Sequence, residues 1–132
     1  MTDVQLCAGA VVFDSACRLL LVRRANSPAA GQWCEPSGRR RPGESASDAC
    51  VRECAEETGL VVRPVRRAGR VEIVGDGTVY DIEDYVCEVT GGSLRPGDDA
   101  AAVRWVTRAE FDAMDLAPGV REALTDWGCL PR

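Results

Sequence analysis

The chain has 132 residues, enough to bury one hydrophobic core with little to spare. A hydrophobic fraction of 45%, a charged fraction of 28% and a net charge of −5 describe an ordinary soluble globular protein, and they exclude a duplex-nucleic-acid binder held by phosphate contacts. Histidine is absent, which excludes Ser-His-Asp and Cys-His catalysis and argues against an ordinary zinc centre. No apolar run reaches membrane-spanning length, and Asp3 stands where a secretory signal would carry Lys or Arg. A cytoplasmic protein without a membrane partner is expected.

In chain order, residues 4–13 ("VQLCAGAVVF") read as a strand buried on both faces, and Arg18 to Arg23 ("RLLLVR") as its hairpin partner across Asp14-Ser15. The polar, Gly- and Pro-punctuated stretch from Asn26 to Gly43 reads as a long loop, and such loops are usually functional. A helix starts at Ser45, an N-cap with Asp48 three residues on, and stops at Gly59. Residues 61–75 and 78–90 read as strands joined by Gly75-Asp76-Gly77. The turn-rich "TGGSLRPGDD" leads into a short strand, Ala102 to Val106. Helical segments over 107–114, opened by the capping box Thr107…Glu110, and over 118–127 close the chain. The order β-β-loop-α-β-β-β-α is that of one mixed α/β domain spanning 1–132.

Seven cysteines (Cys7, Cys17, Cys34, Cys50, Cys54, Cys87, Cys129) are odd in number and include no C-x-x-C, so they read as small buried hydrophobes in a reducing compartment. Cys50 and Cys54, four apart on the helix, have no further soft ligand nearby.

The helix has two unlike faces. Cys50, Val51, Cys54, Ala55 and Thr58 share an apolar side at ~100° per residue. Glu53, Glu56 and Glu57 share another arc, where like charges cost about 0.2–0.5 kcal/mol per pair. They also lie in the last turns, where the helix dipole disfavours anions. Either this is a solvated face partly neutralised by Arg52, or the carboxylates hold a hard divalent cation, Mg²⁺ or Mn²⁺. Just upstream, "SGRRRPGES" brings three consecutive arginines, Arg39 to Arg41, into a tight loop able to approach phosphates.

Gly38, five residues, Glu44, seven residues and "RECAEETGL" match G-x5-E-x7-R-E-U-x-E-E-x-G-U at every fixed position, with Cys54 and Leu60 in the bulky apolar places. On this match, with "AGAVVF", "LLLVRR" and "GQW" around it, the chain resembles the Nudix hydrolase family, MutT-like. The resemblance covers the first half of the chain well and the second half only in outline. It implies an α/β/α sandwich with a mixed sheet and the Nudix box at 38–60. It also implies an Mg²⁺- or Mn²⁺-dependent hydrolysis of nucleoside diphosphate derivatives, small-molecule nucleotides being the partners, and it admits a homodimer. Carried over residue by residue, Glu53, Glu56 and Glu57 become metal carboxylates, with the Ser37 carbonyl as a further ligand. Arg52 orients one of them, Glu44 ties loop to helix or approaches the metals, and Gly38 and Gly59 serve backbone geometry. Ser37 stands where the family commonly has Gly, which puts metal geometry in question.

The implied chemistry is in-line attack of water on a pyrophosphate phosphorus. Without histidine a carboxylate must take the proton: Glu53 first, then Asp99, with Asp98 beside it and Glu83 and Asp84 weaker candidates that read as solvated acids on the face of a strand. Arg23 and Arg39 are read as phosphate contacts, Arg24 as solvent-facing, and Trp33 as a base-stacking or packing residue. The leading expectation is a nucleoside triphosphate pyrophosphohydrolase. An ADP-ribose or nucleotide-sugar pyrophosphatase, and a non-catalytic binding or regulatory module of the same fold, are the alternatives.

Overall fold

The computed structural model of the chain describes residues 3–132. The elements are β1 (Asp3–Val12), β2 (Leu19–Arg24), β3 (Trp33–Cys34), β4 (Ser37–Arg39), α1 (Ala46–Thr58), β5 (Leu60–Gly75), β6 (Thr78–Gly92), β7 (Ala100–Val106), α2 (Arg108–Ala113) and α3 (Val120–Asp126). The strands form one sheet in the order β4-β1-β6-β5 and a second in the order β3-β2-β7. The first is mixed, because β1 runs parallel to β6 and antiparallel to β4.

Alternation along β1 and β2 builds the layers. Ala8, Ala10, Val12 and Leu20 pack with Ala49, Cys50 and Cys54 of α1. Val11, Leu19 and Leu21, on the other faces, pack with Phe111, Val120 and Leu124 of α2 and α3. Helices therefore cover both sides of the strands, the α/β/α sandwich expected. All seven cysteines are free, and all but Cys17 are buried in keeping with their reading as small hydrophobes. Among the described residues no helix is long and apolar enough to cross a membrane.

Two expectations change. β2 is not the hairpin partner of β1: β4 and β6 already occupy both edges of β1, leaving an isolated Phe13–Leu19 bridge, and β2 joins β3 and β7 instead. The stretch from Asn26 to Gly43 is not one long loop, since it contributes β3 and β4, strands too short to show a period in sequence.

Helix α1 begins and ends as its sequence dictates. The Asp48 N–H donates to the Ser45 hydroxyl at 3.1 Å. Gly59 closes the helix in the left-handed region, φ 76°. Its buried side is Ala46, Ala49, Cys50, Cys54 and Thr58, while Ala55 is exposed; the core face is thus turned toward the small residues of the first turn. At its C-terminus the orphan carbonyls of Thr58 and Glu57 accept from the Arg95 and Gly97 N–H groups at 2.8 and 2.9 Å. A Cβ at Gly97 would collide with the Glu56 carbonyl. This contact fastens the β6–β7 loop to the helix and so fixes where Asp99 emerges. The β5–β6 hairpin turns at Asp76-Gly77, with φ of 53° and 77°, as a two-residue turn of this kind requires. Thr107 and Glu110 close the capping box that opens α2.

Candidate active site

Arg52 organises the segment between β4 and α1. Its Nε and Nη2 donate to the two Glu44 carboxylate oxygens, each at 2.8 Å, and Nη2 also reaches the Arg39 carbonyl at 2.9 Å. Glu44 in turn accepts from the Arg41 N–H at 2.9 Å. The paired Arg52 guanidinium, with the Arg41 N–H adding to it, holds Glu44 down to about 2. Nη1 of Arg52 donates to Glu53 Oε1 at 2.8 Å and to Glu56 Oε2 at 3.3 Å. One buried-stem arginine thereby locks the loop to the helix and orients two of the three acids.

A cavity of about 670 Å³ opens beside this segment. Ser37, Glu53, Glu57, Asp99, Arg39 and Arg24 line one part of it. Ile73, Tyr80, Ile82 and Pro118, from the β5–β6 hairpin and the α2–α3 connection, give it apolar walls. Glu53 lies flat against the backbone of Gly38, where a Cβ would collide with its carboxyl. Glu57 is pushed up to about 8, by burial first and then by the charge of Glu53, with Asp99 adding to it. Burial also raises Glu53, against the pull of Arg52.

A NUDIX domain model matches residues 3–127. The chain is 36% identical over 122 residues to the Mycobacterium tuberculosis (strain H37Rv) protein named "Putative 8-oxo-dGTP diphosphatase 2", covering 90% of this chain and 84% of that one. The chain belongs to the Nudix family. It is a Nudix hydrolase, and divalent metal ions are general to that family. An ADP-ribose pyrophosphatase of Methanocaldococcus jannaschii is 36% identical over 86 residues, covering 63% of this chain and 50% of that protein. The crystal structure of a MutT protein from Methanosarcina mazei superposes with a TM-score of 0.87 at 21% identity, over 96% of this chain and 94% of the other, a likeness of fold.

Within this Nudix fold the acids named from sequence part company. Glu53 and Glu57 face the cavity with Ser37 and Asp99, whereas Glu56 lies outside it, its side chain 50% exposed between Arg52 and Arg41. Glu44 binds the loop and stays out of the cavity. Ser37 takes an ordinary strand conformation opposite Gly9, so the backbone there does not call for glycine. Arg23, expected at the phosphates, is exposed outside the cavity, and it is Arg24 that lines it. The pairing of β2 with β7 shifts register between Arg23 and Arg24, an irregularity that re-aims the end of the strand and that a period in sequence does not show. Trp33 packs into the second core cluster, with the Arg104 guanidinium 5.9 Å from its ring. Asp84 is not at the surface: it is fully buried over Gly9, and neither carboxylate oxygen has a hydrogen-bond partner. Burial, then the nearby Glu35, raises it far above the carboxylate range.

Glu35 is a cavity-lining acid that the sequence did not single out. It is 8% exposed, it lines the cavity, and burial raises its pKa. In "WCEPSG" it looks like any loop acid.

The donors on this chain fit a hard divalent cation. They are carboxylate and carbonyl oxygens only, and Glu57, raised by burial and then by the charge of Glu53, sits where a cation would favour its ionised form. Among the described residues no three acids converge on one point, and Arg52 pairs with Glu53 and Glu56.

Proposed function

We propose that this Nudix hydrolase is a MutT-like nucleoside triphosphate pyrophosphohydrolase, releasing a nucleoside monophosphate and pyrophosphate. The observation that carries the reading is the juxtaposition in one cavity of Glu53, Glu57, Ser37 and Asp99 with two arginines and an apolar-walled recess. That is the layout for a molecule with phosphates at one end and a flat apolar group at the other. The M. tuberculosis relative, named for 8-oxo-dGTP, supports the triphosphate class.

Glu53, Glu57 and the Ser37 carbonyl are the residues that would hold Mg²⁺ or Mn²⁺, with Glu56 joining them on release from Arg52. A divalent ion bound there offsets the carboxylate repulsion, neutralises phosphate charge and acidifies the attacking water. Arg39 and Arg24 bind non-bridging phosphate oxygens and hold the phosphorus in line. Arg52, itself fixed by Glu44, keeps Glu53 against Gly38 so that one carboxylate oxygen faces the cavity. Glu53 takes the proton as water attacks. Asp99, which also lines the cavity, is the other acceptor.

The test is a nucleotide panel with Mg²⁺ and with Mn²⁺, pyrophosphate and orthophosphate being measured separately. Pyrophosphate release from a triphosphate is the expected result. Preferential AMP release from ADP-ribose would move the chain to the other reading, which the M. jannaschii relative favours. Absence of metal-dependent turnover of any nucleotide would remove both.

A stability measurement tests the metal site independently of turnover. Between the ordinary 4.5 of a glutamate and the value of about 8 for Glu57, the folded metal-free chain holds a proton that the unfolded chain has released. Stability therefore falls as pH rises through that window. Glu35 and Asp84, both raised by burial, act in the same direction. Glu44, lowered to about 2, acts oppositely but only below pH 4.5. The melting temperature of metal-free protein should decline from pH 4.5 to 8, and millimolar Mg²⁺ or Mn²⁺ should raise it most at the upper end by mass action. A melting temperature indifferent to both ions at pH 8 would count against the site.

A further inference from the structure

Gln32 stands just before β3 and has no part in the hydrolysis proposed above. The chain alternates here: Gln32 and Cys34 line the cavity, and Trp33 between them does not. A backbone bond sets Gln32 beside Arg24, whose N–H donates to the Gln32 carbonyl at 2.9 Å. The side chain is tied elsewhere. Its Nε2 donates to Asp115 Oδ1 at 3.0 Å and to the Leu116 carbonyl at 3.3 Å, both on the α2–α3 connection. That connection then enters the cavity wall at Ala117 and Pro118. A Cβ at Gly119 would collide with Ile73, so the connection lies against β5 at the apolar end. Gln32 therefore bridges the two ends of the cavity, from an arginine assigned to phosphate to the apolar wall.

The same contacts decide how the Gln32 amide is turned. An ionised carboxylate and a carbonyl only accept, so the NH₂ group has to face Asp115 and Leu116 and the oxygen has to face away from them. Both NH₂ protons are then spent, and among the described residues no donor reaches Oε1. What Gln32 has left to offer is one oriented acceptor and no donor.

We infer that Gln32 is a specificity-determining residue that reads the sugar of the bound nucleotide, its Oε1 accepting from a ribose hydroxyl. The inference rests on the nucleotide reading above. In every nucleotide the sugar joins phosphate to base, so it occupies the stretch of cavity between Arg24 and the Pro118 wall, where Gln32 stands. The donors on a sugar are its hydroxyls, and an oriented carbonyl oxygen is their complement. A sugar lacking that hydroxyl leaves the oxygen without its donor and binds less well.

The probes are four guanosine monophosphates that differ only in the sugar: the ribo, 2′-deoxy, 3′-deoxy and 2′,3′-dideoxy forms. Base and phosphate are constant, so ratios within the series report on the hydroxyls alone. Calorimetric titration of the metal-free protein needs neither metal nor turnover. Loss of one hydroxyl, 2′ or 3′, should weaken binding by about three- to tenfold, the worth of one neutral hydrogen bond. The dideoxy form should fall with the costlier single deletion. Gln32→Met keeps the length of the side chain and removes the acceptor, so the four forms should bind that variant alike. The same flattening should appear in kcat/KM for the corresponding triphosphates. Thermal melting reports whether the variant is folded, and the wild-type series decides the matter without it. Four equal affinities in wild type, no binding of any form, or unchanged ratios in folded Gln32→Met would overturn the inference. Equal affinities in a protein that releases pyrophosphate from triphosphates would remove the role of Gln32 and retain the triphosphate reading. A hydroxyl preference without such hydrolysis would do the reverse.

Discussion

Glu57→Gln is expected to lower kcat by about 10²–10³, the loss typical of removing one group that stabilises transition-state charge, while leaving the fold intact. Glu57 lines the cavity and is pushed up to about 8 by burial and by Glu53, so near neutral pH the metal-free protein already carries it largely protonated. Glutamine copies that uncharged form in size and polarity. The melting temperature of the metal-free variant should therefore equal or slightly exceed that of wild type. Its gain on adding Mg²⁺ should shrink, because the charge that the cation compensates is gone. Glu56→Gln provides the internal contrast. Its carboxylate is exposed and shared between Arg52 and Arg41, so it should show a smaller loss that rising Mg²⁺ concentration repairs. Wild-type turnover by Glu57→Gln at saturating Mg²⁺ would remove Glu57 from the metal site. A variant that melts far below wild type would show that the residue is structural.

The difference between these two glutamates marks where sequence stopped being informative. The spacing of Glu53, Glu56 and Glu57 shows that they share an arc of α1, and the capping signals at Ser45 and Gly59 show where that helix begins and ends. Those features are local, and local chemistry decides them. Which side of the arc meets the cavity depends on how α1 is rolled against β1, and that in turn on Ala46 and Ala49 lying against the strands in place of Ala55. Asp84 illustrates the same limit more sharply. In "DIEDYV" its charge beside Glu83 reads as a surface acid, although a period of two sets it with Ile82 and Val86; β6 is a central strand and Asp84 lands opposite Gly9 in the parallel pairing with β1. The missing side chain at Gly9 is what leaves room for it. A pairing between residues 75 positions apart leaves no periodic trace in either strand. Glu35 was hidden for a related reason: β3 and β4 are too short to announce themselves, so the acid between them reads as solvated loop. The family motif, by contrast, is confined to one loop and one helix, and was legible throughout.

The proton acceptor is the point on which the two halves of the site compete. Glu53→Gln should lower kcat by about 10²–10⁴ with little change in KM, because a general base acts in the transition state. Asp99→Asn should do the same only if the β6–β7 loop supplies the base. Both acids line the cavity, but they are held differently. Glu53 is pinned by Arg52 at 2.8 Å and by contact with Gly38, whereas Asp99 sits on a loop fastened to α1 through the Gly97 N–H. A base has to be placed to within a fraction of an ångström of the proton it takes, which favours the clamped residue. The clamp has a second consequence, since the Arg52 contact lowers the proton affinity of Glu53 against the rise imposed by burial. Arg52→Lys would break the fork that binds Glu44 and Glu53 together. It should therefore cost activity and move the acidic limb of the pH–rate profile, a shift that a purely structural arginine would not produce. If Asp99 only assists a cation, excess Mn²⁺ should restore much of the loss in Asp99→Asn and little of that in Glu53→Gln. Full activity in Glu53→Gln, together with a collapse in Asp99→Asn that no metal concentration relieves, would transfer the role of base to the loop.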